Sequence, residues 1–179
     1  MSHHLVHLIT GSTGAGKTTY ALQLSDRLEA VRFSIDEWMT ALFWMDSPSP
    51  IEASWSMERV ARCSDQIWAT AAQVVARGVA CVLDLGFTRL RERSQFVSRA
   101  RNAGLSVQLH FLDVAPEERW RRVLLRNAEK GATHQLEFAI TRELFDFVET
   151  LWEPPTDREM ADCSGVLVTN GSAEPPPRS

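Results

Sequence analysis

Gly11-Ser12-Thr13-Gly14-Ala15-Gly16-Lys17-Thr18 fits the spacing G-x-x-x-x-G-K-[ST]. That spacing is chemical before it is structural. Glycines let a short backbone curl until its N–H groups point inward at phosphate oxygens, and a helix starting after them adds its positive end. The lysine supplies a compact ammonium for the β- and γ-phosphates, and the Thr18 hydroxyl can reach a magnesium ion. The chain contains 17 arginines and two lysines, Lys17 and Lys130. A planar guanidinium is no substitute for an ammonium that must thread under a phosphate chain. Residues Gly11 to Thr18, with Thr19 beside them, are therefore the expected nucleotide-binding set, and Lys17 is an expected catalytic residue.

Two carboxylates follow at places where short apolar runs end. Asp36 closes Val31 to Ile35, and Asp84 closes Val79-Ala80-Cys81-Val82-Leu83. In an open α/β sheet, ligands sit at the carboxyl ends of the strands, where the phosphate loop also lies. Asp36 could accept the proton of an attacking hydroxyl, or it could cap a helix starting at Glu37. Asp84 follows four apolar residues, as a carboxylate holding Mg²⁺ does. It could instead orient a substrate or an arginine, or cap a loop.

Arg119, Arg122 and Arg126 recur at i, i+3 and i+7 and share a helix face. Such a face can clamp phosphates or stack on adenine, or it can be a solvated stripe paired with Glu117, Glu118 and Glu129. Arg89, Arg91 and Arg93 follow the third strand near the site edge, where they could meet an anionic substrate, but each reads first as a solvated surface residue. Trp38, Met39, Leu42, Phe43, Trp44 and Met45 could wall an acceptor pocket or simply pack this excursion onto the next helix. Asp36, Trp44 and Asp84 are the candidates for touching an acceptor.

The elements that must position these residues alternate between strand and helix, which predicts a parallel sheet covered on both faces. Strands are expected at 5–10, 31–35, 79–83, 107–112 and 166–168. Helices are expected from Lys17, with Leu24 and Leu28 on one face, then from Met57 until Gly78 ends it, from Leu90 to Gly104, and from Pro116 to Gly131. The last is expected over 134–152, with a stripe of Leu136, Ile140, Leu144, Phe147, Val148 and Leu151. Residues 38–56 read as irregular, and 171–179 as a disordered Pro-rich tail. Residues 1–170 are expected to form one domain.

With 44% hydrophobic residues the chain can bury a core. A net charge of −4 gives no field to draw it to nucleic acid or anionic membrane. No transmembrane stretch appears. Cys63, Cys81 and Cys163 are scattered and odd in number, which suits reduced thiols in the cytoplasm.

Gly11 to Thr18, Ser34-Ile35-Asp36, Val82-Leu83-Asp84 and Arg126-Asn127 with Lys130-Gly131 together resemble small P-loop kinases. The group includes the polynucleotide 5′-hydroxyl kinase domain, chloramphenicol phosphotransferase and zeta-toxin-like proteins. The resemblance covers most of residues 5–170. It implies a three-layer P-loop NTPase sandwich with strand order 2-3-1-4-5 and an arginine-bearing lid, here about 116–140, closing over ATP. It implies Asp36 as general base, and Arg126, with Arg122 or Lys130, as the nucleotide contacts that stabilise charge.

Two positions depart from polynucleotide kinases. Met39 stands where an arginine grips a substrate phosphate, and Lys130 stands where an arginine is expected. These departures favour a small, partly apolar hydroxyl compound as acceptor, with ATP and Mg²⁺ as cofactors. A nucleotide-driven switch or slow ATPase acting through a protein partner stays open, as does a nucleotide or polynucleotide kinase.

Overall fold

The computed structural model describes residues 6–128 and 140–169. Expectations on Glu129, Lys130, Gly131, Leu136 and the tail lie outside those residues. Within them, β1 (Val6–Thr10), β2 (Val31–Ser34), β3 (Cys81–Asp84), β4 (Val107–Asp113) and β5 (Val166–Thr169) form one sheet in the order β2-β3-β1-β4-β5. Every pairing is parallel. The order is the expected one. All five residues of β1 are buried, as a central parallel strand covered on both faces requires.

One face carries α3 (Ala53–Val75) and α4 (Leu90–Asn102). Cys63, Ile67, Ala71 and Val75 recur every four residues along α3 and pack with Phe96 and Ala100 of α4 onto Val6, Leu8, Leu83 and Leu109. The other face carries α1 (Lys17–Leu28), which buries Tyr20, Ala21 and Leu24 against Ile9, Val82 and Leu112. Leu28 was expected beside Leu24 but is exposed, because the helix ends there and Glu29 turns into the left-handed region at φ 51°. Beyond β4, α5 (Pro116–Ala128) and α6 (Arg142–Leu151) share a small core of Val123, Ile140 and Phe145.

Three further expectations are corrected. Residues 38–43 are not irregular. They belong to α2 (Ile35–Phe43), which is followed by a 3₁₀ turn at Trp44–Asp46. Ile35 is buried, and Trp38, Met39 and Phe43 pack against the α3 face of the core, a helical spacing that the aromatic content concealed. The stripe expected on α6 is also displaced. Leu144 and Phe147 are exposed, and Phe145 is the buried residue, with its ring 5.3 Å from that of Trp120. Finally, α7 (Asp157–Asp162) was not expected. Thr156 and Glu159 form a reciprocal capping box at its start, a pattern that the sequence carries openly.

Between β1, β4 and α1 lies a buried polar chain. His7 Nδ1 is 3.1 Å from His110 Nε2, and the Tyr20 hydroxyl is 2.8 Å from His110 Nδ1. Burial, then His7 and Arg27, push the His110 pKa down to about 3. The native chain therefore favours the neutral ring more than the unfolded chain does. This contribution to stability is complete above the ordinary histidine value of 6.5 and is lost as pH falls from there towards 3. Denaturant melts between pH 7 and pH 4 should show stability falling with acid, and more steeply in the parent than in His110→Gln. An identical slope in both would mean that His110 is not the titrating group.

Candidate active site

The phosphate loop joins β1 to α1. Gly14 and Gly16 adopt φ values of 80° and 91°, conformations that L side chains avoid. A Cβ on Gly14 would also lie 2.5 Å from the carbonyl oxygen of Arg119. Gly16 caps α1, so the positive end of that helix opens onto the loop. Gly11, Ser12 and Ala15 are buried, Thr13, Gly14, Lys17 and Thr18 are half-buried, and Gly16 and Thr19 are exposed. Lys17 Nζ donates to the carbonyls of Gly11 at 2.9 Å and Ser12 at 3.2 Å. Burial lowers the pKa of its ammonium, while Asp84 and then Asp36 act to raise it.

Both predicted carboxylates converge on this lysine. Asp84 is the last residue of β3 and is paired in register with Ser34, the last residue of β2. α2 starts at the next residue, which puts Asp36 in its first turn. The helix cap is Ser34, whose hydroxyl accepts the Glu37 N–H at 3.4 Å, so the reading of Asp36 as the cap is wrong. Asp84 is buried, has the Thr18 hydroxyl close enough to favour its ionised form, and lies 3.6 Å from Arg32 Nη1. Burial raises its pKa against the opposing pull of Lys17, Thr18 and Arg32. Solvent reaches Asp36. Desolvation by the surrounding protein still raises its pKa, Asp84 raises it further, and Lys17 and Arg126 oppose both.

The three arginines expected on one face of α5 divide their work. Arg126 lies within electrostatic reach of Asp36 and Lys17. Arg122 Nη1 donates to the Ala15 carbonyl at 3.4 Å, while its Nε binds Glu118 at 2.8 Å. Arg119 is buried and acts as a clamp. Its Nε donates to the Val114 carbonyl at 2.8 Å, and Nη1 donates to the Thr13 carbonyl at 3.2 Å. Nη1 and Nη2 also grip the two oxygens of Glu149 on α6 at 2.6 and 2.5 Å. The Ser12 hydroxyl donates to the same carboxylate. Glu149 gave no signal in the sequence, because it is 137 residues from Ser12. Arg32 was missed as well, and Ser34, noted only as part of the run before Asp36, was not read as the cap of α2.

Beside Asp36 opens a cavity of about 540 Å³ between α2, α3 and the β3–α4 connection, a size that suits a small molecule. Trp44 is half-buried in its 3₁₀ turn and is not among the residues lining this cavity, whereas Met39 is. Phe87 forms part of the wall with φ 24°. Its carbonyl accepts from Thr10 Oγ1 at 2.9 Å and from Arg93 Nη1 at 3.3 Å. Arg93 was expected at the surface but is buried, with Nε bound to Glu159 Oε1 at 2.8 Å and Nη1 to the Glu153 carbonyl at 2.8 Å.

A parallel sheet of this order, with a glycine loop entering α1 and two carboxylates at the neighbouring strand ends, defines a P-loop kinase-like fold. The chain belongs to the AAA domain family, which matches residues 6–150. No curated protein matches it. Among solved structures it is similar to Kti12 of Chaetomium thermophilum in complex with ADP-AlF3. The TM-score is 0.68 at 20% identity, over 94% of this chain and 91% of that one. A sugar kinase from Janibacter sp. HTCC2649 gives 0.63 at 16% identity, over 93% and 85%. The Mycobacterium tuberculosis APS kinase CysC, in complex with AMPPNP and APS, gives 0.61 at 16% identity, over 95% and 90%.

Among the described residues no helix is long and apolar enough to cross a membrane, and no cluster of three or more His, Cys, Asp or Glu side chains is set to hold a metal. Thr18 and Asp84 offer one hydroxyl and one carboxylate in the same neighbourhood. This sparse, all-oxygen donor set fits magnesium, which keeps several waters and draws other ligands from phosphates.

Replacing Glu149 by Gln leaves the buried Arg119 guanidinium without its counter-charge. The variant should lose about 1–3 kcal/mol of stability, the partial exposure of Glu149 keeping this below the full cost of breaking a buried pair. It should also bind AMPPNP several-fold more weakly. A Glu149→Gln protein that is less stable but binds AMPPNP with parental affinity would separate the clamp from the loop.

Proposed function

We propose that the protein is an ATP-dependent phosphotransferase that moves the γ-phosphoryl group to a hydroxyl of a small molecule. The observation that carries this reading is the position of Asp36, within electrostatic reach of Lys17 and Asp84 on one side and lining the 540 Å³ cavity on the other. A pure switch needs no such cavity beside a carboxylate at the γ-phosphate end of the loop. The likeness to proteins named as a sugar kinase and an APS kinase supports the same reading.

In this mechanism the backbone N–H groups of Gly11 to Thr18 cradle the phosphates, and Lys17 leaves its loop carbonyls to bridge the β- and γ-phosphates. Thr18 and Asp84 would hold Mg²⁺, which would supply charge neutralisation for the phosphates. Asp36 takes the acceptor proton while the acceptor oxygen bonds to the γ-phosphorus. The bond from that phosphorus to the bridging oxygen breaks, and ADP leaves. Arg126 faces the charge developing between these groups, and Arg122 steadies the loop at Ala15. The raised pKa of Asp36 suits a base, because a carboxylate that holds a proton more readily accepts one more readily.

Asp36→Asn should bind AMPPNP like the parent and transfer no phosphate, read as loss of the one-phosphate mass gain in an acceptor screen. Its stability should move the other way. Folding raises the Asp36 pKa, so ionisation costs more in the native chain, and that cost is present above the folded pKa and absent below the unfolded one. The variant should therefore melt higher than the parent at pH 7 and lose that advantage below about pH 4. Full transfer activity in Asp36→Asn would remove the base from the mechanism. Arg126→Ala should cost at least about 10²-fold in turnover with little change in melting temperature. Near-parental turnover would take Arg126 out of the site.

A switch acting through a protein partner is the second reading, and the likeness to Kti12 is compatible with it. ATP turnover stimulated by a protein and indifferent to hydroxyl compounds would favour it.

A further inference from the structure

The lining of the acceptor cavity is more selective than a pocket for any alcohol. Its floor is apolar, with Met39 from α2 and Phe87 and Phe96 from the α4 side. Its walls carry three carboxylates, Asp36, Asp65 and Glu92, against one cation, Arg99. That cation is already engaged, since Arg99 Nη2 donates to Asp65 Oδ1 at 2.6 Å. Glu92 receives the Arg89 backbone N–H at 3.0 Å through one oxygen, which leaves its other oxygen outside that bond. The other arginines after β3 do not alter the balance. Arg93 is turned inward onto Glu159 and backbone carbonyls, and Arg89 and Arg91 are not among the lining residues. Met39 stands where a guanidinium could have reached in.

Lys17 and Arg126 offset Asp36 from the phosphate side, so the negative excess of the lining lies at Asp65 and Glu92 beside Arg99, and among the described residues no unengaged guanidinium lines the cavity to receive a phosphate, sulfate or carboxylate. An ammonium would gain from the same field. We propose that the acceptor is an amphipathic amino alcohol, its apolar body on Met39, Phe87 and Phe96, its hydroxyl at Asp36 and its amine at Glu92 and Asp65. The role of the hydroxyl rests on the phosphotransferase reading, but the charge preference of the cavity does not.

Matched triples separate the two. Each triple shares one aryl-alkyl body and one hydroxyl, and presents a free amine, its N-acetyl amide or its N-succinyl carboxylate. Binding to the full chain saturated with AMPPNP is measured by calorimetry, and transfer from ATP by a mass gain of one phosphate. The amines should bind about fivefold tighter than the amides, and the carboxylates weakest, with the spread narrowing as salt is raised. Glu92→Gln retains the capping geometry of α4 and should shrink the amine-to-amide ratio about two- to fivefold. Carboxylates that bind as well as amines overturn the proposal, as does an absence of saturable amine binding across the triples or a ratio unmoved in Glu92→Gln. The binding order without any mass gain overturns the phosphotransferase reading and leaves the charge preference standing. Mass gain confined to the carboxylates does the reverse.

Discussion

A guanidinium buried beneath the phosphate loop ties three distant parts of the chain together. Arg119 reaches the turn after β4 through the Val114 carbonyl, the loop through the Thr13 carbonyl, and α6 through Glu149. A loop rich in glycine loses much conformational freedom on folding, and its own short turn contacts do little to offset that. The clamp supplies the missing restraint from outside, and Glu149 extends it by accepting the Ser12 hydroxyl. The close approach of Gly14 to the Arg119 backbone belongs to the same arrangement, because the helix that carries the clamp must lie against the loop it holds. With the loop fixed, Lys17, Asp36 and Asp84 share one electrostatic neighbourhood, and their mutual shifts follow.

The cavity side is built on a parallel principle. Arg93 is also a buried cation satisfied by a carboxylate and by backbone carbonyls, and it holds the Phe87 wall as Arg119 holds the phosphate loop. Thr10 at the end of β1 binds the same Phe87 carbonyl, so the strand that feeds the loop also braces the cavity. Two buried arginines thus brace the two halves of the site, one at the glycine loop and one at the cavity wall.

Much of this was legible in the sequence. The loop announces itself by spacing, and the strand-end positions of Asp36 and Asp84 follow from short apolar runs, because a buried parallel strand leaves little else to read. The misreadings share a cause. Arg119 and Arg93 carry charge, and charge on a helix usually means solvent; what turned them inward were Glu149 and Glu159, 30 and 66 residues away. No local pattern encodes such partners. Helix α2 was hidden differently. Its aromatic residues pack at ordinary helical spacing, but a short amphipathic stretch before prolines reads as loop until Ser34 is seen to cap it. Of the six apolar residues offered as a pocket wall, Met39 lines the cavity, and Trp44, the one named as a substrate contact, does not.

The two halves of the site draw on different elements. The phosphate side is assembled from β1, α1, α5 and α6, while the cavity is walled mainly by α2, α3 and α4. Val60, Ala61, Ser64 and Asp65 present one outer stretch of α3 to the cavity without belonging to its buried core positions. Substitution along that stretch changes what the cavity admits while the sheet, the loop and both arginine braces stay as they are. What the cavity admits in such a scaffold can therefore drift over evolutionary time at little cost to folding, and paralogues that share an unaltered glycine loop need not share a ligand there.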